Sequence, residues 1–129
     1  MRFIFVSGAT SGIGLQTARM LERHNYGVFA AGLPQDDFSP LLENTSDLIR
    51  PLKLDITNYK ELRQAIDHVN ETIEDNELLG LVNNAGIYVP GPLEGLSMEA
   101  IRAQFEVNVF GHLQVTQALL PLLRQAENA

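Results

Sequence analysis

The chain has 129 residues, 45% of them hydrophobic, which suits one domain with enough apolar material for a packed core. Its 9 basic residues against 16 acidic ones leave a formal charge of -7, which argues against nucleic-acid backbones and anionic membranes as partners. There is no cysteine, and the 3 histidines are scattered, so neither a disulfide framework nor a metal site is expected. A reducing, cytoplasmic setting fits this composition, and no apolar run reaches membrane-spanning length.

Residues 1–6 are β-branched and aromatic, as a buried strand is. Gly8, Gly12 and Gly14 follow, in a spacing that lets the backbone bend tightly and approach a ligand. Ser11 is an N-cap candidate, and Gly14, Thr17, Ala18 and Leu21 hold the i, i+3, i+4, i+7 spacing of a helix. A helix starting at a glycine turn points unpaired N–H groups and a positive dipole end at that turn, and the natural anion there is the pyrophosphate of a dinucleotide. A purely structural turn would share the pattern, so the turn alone does not decide the matter.

Asn25-Tyr26-Gly27 stops the helix, and residues 28–32 read as a second buried strand. Residues 33–46 form a loop with at most one helical turn, around residues 40–43. A third strand over residues 49–56 leads to a helix capped by Thr57 or Asn58, whose Leu62, Ala65, Ile66, Val69 and Ile73 make one apolar face. Residues 79–83 are continuously apolar until Asn83, as a parallel strand covered on both faces should be. After Pro90, Gly91 and Pro92, Ser97 caps a helix expected to run to about Gln125. Its two apolar stripes (Ile101, Phe105, Asn108, His112, Val115, Leu119, Leu122, and beside it Val109, Leu113, Thr116, Leu120, Leu123) make a face wider than one sheet contact needs. Pro121 is expected to bend or loosen the last turn.

This alternation predicts an α/β fold, a Rossmann-type parallel sheet in the order 3-2-1-4 with helices on both faces. Ligands of such sheets bind beyond the carboxyl ends of the strands, where the order reverses. Residues 8–14, Gly32, Asp55 and residues 83–86 all fall on that edge, and their convergence raises the dinucleotide reading above a structural turn.

Together these residues resemble the short-chain dehydrogenase/reductase family. Its glycine motif is matched by Ser7-Gly8-Ala9-Thr10-Ser11-Gly12-Ile13-Gly14, its Asn-Asn-Ala-Gly motif by residues 83–86, its adenine-contacting aspartate by Asp55 and its helix asparagine by Asn108. Ala30-Ala31-Gly32-Leu33 and Leu79-Gly80-Leu81-Val82 further resemble the retinol and hydroxysteroid dehydrogenase branch. The resemblance spans the chain and implies a single NAD(P)-binding domain over residues 1–129. In it Gly12, Ile13 and Gly14 present backbone groups to the pyrophosphate, Asp55 accepts from the adenine amino group, Asn83 and Gly86 border the adenosine ribose and the nicotinamide end, and Gly8, Ser11, Leu33, Ile56 and Ala85 are further cofactor-binding candidates. Asn108 is the catalytic candidate, holding a water in a proton relay. Asp55 also reads as a cap for the following helix, Asn108 as a buried amide, and His112 is assigned no role.

The family's chemistry uses a serine, a tyrosine and a lysine four residues after the tyrosine, all beyond the asparagine helix. Here the tyrosines are Tyr26, Tyr59 and Tyr88 and the lysines Lys53 and Lys60, which never form Tyr-x-x-x-Lys. The expectation is therefore the cofactor-binding part of an oxidoreductase moving hydride between nicotinamide and a secondary alcohol or ketone, without turnover of its own. The alternative is a non-catalytic nucleotide-binding or interaction module. Gly32 and Leu33, at the end of the second strand, do not read the ribose 2′ position, and residues 3–18 and 24–49 carry no Arg or Lys for a 2′-phosphate, so NAD is favoured over NADP. An uncovered fourth strand and the wide apolar helix predict a homo-oligomer, or association with a missing C-terminal half.

Overall fold

In the computed structural model, which describes residues 1–127 and 129, apolar alternation along two central strands decides the layers. β1 (Arg2–Val6) sends Phe3 and Phe5 to one face and Ile4 and Val6 to the other, and β2 (Gly27–Gly32) splits Phe29 and Ala31 from Val28 and Ala30 in the same way. Both faces are apolar because both are covered. α1 (Gly12–Arg23) and the one-turn α2 (Ser39–Leu42) close one side over Val6, Ala18, Val28 and Leu41. The other side is closed by α3 (Tyr59–Ile73) and a later helix that contributes Val115 and Leu119, over a larger core in which the Phe3 and Phe29 rings stack at 4.9 Å.

With β3 (Ile49–Lys53) and β4 (Glu77–Val82), the strands form one parallel sheet in the expected order β3-β2-β1-β4. β3 ends at Lys53, short of the residues 54–56 expected to extend it, because Asp55 already turns the chain towards α3: its carboxylate accepts from Thr57 N–H at 2.9 Å and from the Thr57 hydroxyl at 2.7 Å. Of the two cap candidates Asn58 is the one used, accepting from Glu61 N–H at 3.1 Å. β4 pairs only with β1 among the described residues, and one residue is out of step: Phe3 lies beside Leu78, but Ile4 lies beside Gly80. Leu79 is the extra residue of a bulge.

The long helix after Ser97 departs from expectation. It consists of α4 (Met98–Phe105), a π-helical turn (Glu106–Gly111) and α5 (His112–Leu123). Gly111 is pressed against Ile56 at the middle of this run, where a Cβ would come within 2.8 Å of the isoleucine side chain. Helical bonding continues past Pro121, with Arg124 N–H reaching Leu120 O at 3.0 Å, so the last turn holds. The second apolar stripe also divides: Leu123 packs on the core, whereas Val109 and Leu113 stay exposed beside Phe105 and Phe110.

Candidate functional site

The turn from β1 to α1 is a strained piece of backbone stitched to the segment after β4. Gly8 has φ +64°, and a Cβ there would stand 2.8 Å from the Ala85 Cα; one on Gly14 would stand 2.1 Å from the Gly8 carbonyl oxygen. Only glycine lets the two segments approach this closely. Ser7 then pins them together: its Oγ accepts from both Asn84 N–H and Ala85 N–H at 3.0 Å. The Asn84 amide donates back to Ser7 O and Gly8 O, each at 3.1 Å.

Ser11 occupies the N-cap position of α1 with extended backbone, but its hydroxyl makes no capping bond and remains exposed towards the cleft. The first helical bond recorded there is Leu15 N–H to Ser11 O at 3.1 Å, so the N–H groups of Gly12, Ile13 and Gly14 precede the bonded ladder. Ile13 is 79% exposed. An anion seated on this turn would meet three backbone donors, a free hydroxyl and the positive end of a helix.

A cleft of about 450 Å³ opens next to that turn along the carboxyl ends of the strands. Of the expected residues, Gly8, Ser11, Leu33, Asp55, Ile56, Ala85 and Gly86 line it. Gly12, Ile13 and Gly14 sit at the helix start outside its wall, and Asn83 is turned away, its amide donating to Thr116 Oγ1 at 3.0 Å. Asn108 is outside the cleft's lining and bonded to the lining residue Ile87: its Oδ1 accepts from Ile87 N–H at 2.9 Å and its Nδ2 donates to Ile87 O at 2.8 Å. Asp55 lines the cleft while also holding Thr57, so the cap reading and the site reading coexist in one residue.

Residues 2–129 match the family model described as short chain dehydrogenase. The chain belongs to that family. It is 37% identical over 127 residues to the 17-beta-hydroxysteroid dehydrogenase type 6 of Bos taurus, covering 98% of this chain and 40% of the relative. To retinol dehydrogenase 16 of Mus musculus it is 36% identical over 126 residues, covering 97% of this chain and again 40% of the relative. The solved NADPH-bound carbonyl reductase from chicken fatty liver superposes with a TM-score of 0.88 at 26% identity, covering 98% of this chain and 53% of that one. The chain thus spans about two-fifths of the length of these curated short-chain dehydrogenase relatives. No helix among the described residues is long and apolar enough to cross a membrane.

Among the lining residues that the sequence reading did not assign to the site, Asn84 and Asp36 bear most on its chemistry. Asn84 was passed over for its neighbour Asn83, although it is Asn84 that reaches the glycine turn. Asp36 lies three residues past Leu33 but folds back over the end of β2, because Asp36 N–H bonds Leu33 O at 3.0 Å in a turn with Pro34 at its second position. Its Oδ2 accepts from the Thr10 hydroxyl at 2.7 Å and from Leu33 N–H at 2.9 Å. The available signal was Leu-Pro-Gln-Asp itself, since proline at the second place of four presets such a turn.

Proposed function

We propose that residues 1–129 are the NAD-binding part of an oxidoreductase acting on a secondary alcohol or ketone. The observation that carries this is the single cleft into which the glycine turn, Asp36, Asp55 and Ala85 all open. The chain's own groups divide the work by chemistry. The N–H groups of Gly12, Ile13 and Gly14, with the Ser11 hydroxyl, would hold the pyrophosphate. Asp55 and Ile56 would hold the adenine, Leu33 its ribose, and the segment after Asn83, through Ala85 and Gly86, the nicotinamide half. When bound, the nicotinamide supplies the hydride chemistry. Asn108 keeps its assignment to a proton relay, because an amide oxygen has a second lone pair beyond the one given to Ile87.

Asp36 favours NAD over NADP. It brings a carboxylate to the β2 end of the cleft, where an acid accepts from a ribose 2′-OH and repels a 2′-phosphate. Calorimetric titration with both cofactors tests the reading. NAD binding at least about tenfold tighter than NADP, a gap of about 1.4 kcal/mol, is expected, and tighter NADP binding would refute it.

The alternative is a nucleotide-binding or interaction module without catalysis. Cofactor-dependent oxidation of a secondary alcohol by the purified chain would exclude it. A cytoplasmic setting accompanies either reading. The edge position of β4, together with exposed Phe105, Phe110 and Leu113, supports self-association or pairing with further polypeptide of the same family.

A further inference from the structure

We infer that His112 is the positioning residue for the nicotinamide-side wall of the cleft, holding the carbonyl of Ala85 in place; the inference rests on the dinucleotide reading above. Three side chains spaced four residues apart, Asn108, His112 and Thr116, meet three residues spaced two apart, Ile87, Ala85 and Asn83, in reverse order. Four helical residues advance about 6 Å and two extended residues about 6.6 Å, so the two rows keep step. Four α-helical residues also rotate by about 400°, so each step overshoots by about 40°. The wider turn of the π segment lies between Asn108 and His112 and removes part of that overshoot. The π turn therefore has a purpose the sequence pattern did not show: it keeps three polar side chains facing one run of chain, residues 83–87.

The outer contacts are self-sufficient, Asn108 through two bonds to Ile87 and Thr116 through its bond from Asn83 and its own donation to His112 O at 2.7 Å. The central contact is His112 Nε2 to Ala85 O. A carbonyl only accepts, so Nε2 carries the hydrogen and the tautomer is fixed. On its other side the Ala85 N–H is bound by Ser7 Oγ at 3.0 Å. Ala85 is thus fixed from the end of β1 through one backbone group and from α5 through the other, and it is also the residue against which Gly8 closes.

The test is calorimetric titration of the chain and its His112→Ala and His112→Gln variants with NAD and with AMP. AMP carries only the adenosine half and reports on the end of the cleft at Leu33, Asp36 and Asp55. For His112→Ala the loss of NAD affinity should exceed any loss of AMP affinity by about fivefold, the scale of one hydrogen bond. Glutamine, whose Nε2 can donate to the same carbonyl, should restore most of it. Should the alanine variant fail to fold, His112→Phe, which keeps the ring, makes the same comparison. Unchanged NAD affinity, or equal losses for NAD and AMP, overturns the role of His112 alone. A wild-type chain that binds neither nucleotide overturns the dinucleotide reading and this inference with it.

Discussion

Replacing Asp36 by asparagine separates charge from shape at the β2 end of the cleft. Asparagine keeps an oxygen that can accept from Thr10 and from Leu33 N–H, as Asp36 Oδ2 does at 2.7 and 2.9 Å, so the turn should survive. What disappears is one negative charge. Against an anionic group about 4 Å away, a unit charge is worth about 1 kcal/mol in bulk water and about 4 kcal/mol at the effective dielectric of a protein surface. Asp36 is half-buried, between those limits, so the preference for NAD over NADP should shrink by about fivefold or more, 1.4 kcal/mol being about one factor of ten. Asp36→Ala is the companion variant. It leaves the hydroxyl of Thr10, a residue 9% exposed, without its partner and should lower stability by about 1–3 kcal/mol in urea unfolding. The assay is paired calorimetry with both cofactors at fixed salt. An Asp36→Asn protein whose preference moves by less than about twofold would show that Asp36 does not face the 2′ position.

Gly12→Val should fold, because a Cβ there meets no atom within 4 Å, while its φ of +55° costs a side chain about 1–2 kcal/mol. The new side chain enters the space in front of the helix N-terminus, so both cofactors should lose measurable binding; retained affinity by calorimetry would remove the glycine turn from the argument. Glu22 is held below the ordinary glutamate range by hydrogen bonds from the Ser46 hydroxyl and then the Ser46 N–H. A depressed carboxyl stabilises above its unfolded pKa and loses that contribution as pH falls through the folded one. The advantage of wild type over Glu22→Gln, at most about 1 kcal/mol for so exposed a group, should therefore be full at neutral pH and vanish in acid, as thermal melts across that range would show. If the exposed helix face drives association, Phe110→Glu with Leu113→Glu should shift sedimentation towards monomer, and Leu81→Lys should do so if the β4 edge drives it. A wild-type chain that sediments as monomer at high micromolar concentration contradicts both.

Sheet order and the glycine turn were readable because they rest on period-two alternation and on backbone shapes that only glycine adopts, both written locally in residues 1–14 and 27–32. The π turn was not, since Asn108, His112 and Val115 fit a regular helical stripe equally well, and the residues that meet the interruption, Ile56 at Gly111 and Ile87 at Asn108, are distant in sequence. Asp36 was missed for a related reason. Loop residues take their position from turn geometry, and a reading that looks only at the last residue of a strand stops at Leu33.

Choosing between Asn83 and Asn84 is a question of phase, and the phase is set five residues earlier. Had Leu79 taken a place of its own in the ladder, Leu78, Gly80 and Val82 would share a face; because the ladder skips it, Leu78 and Leu81 meet the α3 and α5 side, while Val82 meets the α1 side. Carried forward, that inversion hands Asn83 to Thr116 and Asn84 to the glycine turn. Deleting Leu79 would therefore leave a regular ladder with the same pairs and both amides on their present errands, whereas drawing Leu79 into the ladder would aim the motif's first asparagine at Gly8 and its second at the helix. In this chain an Asn-Asn pair is a two-position dial, and its setting depends on whether the ladder upstream counts Leu79 or skips it.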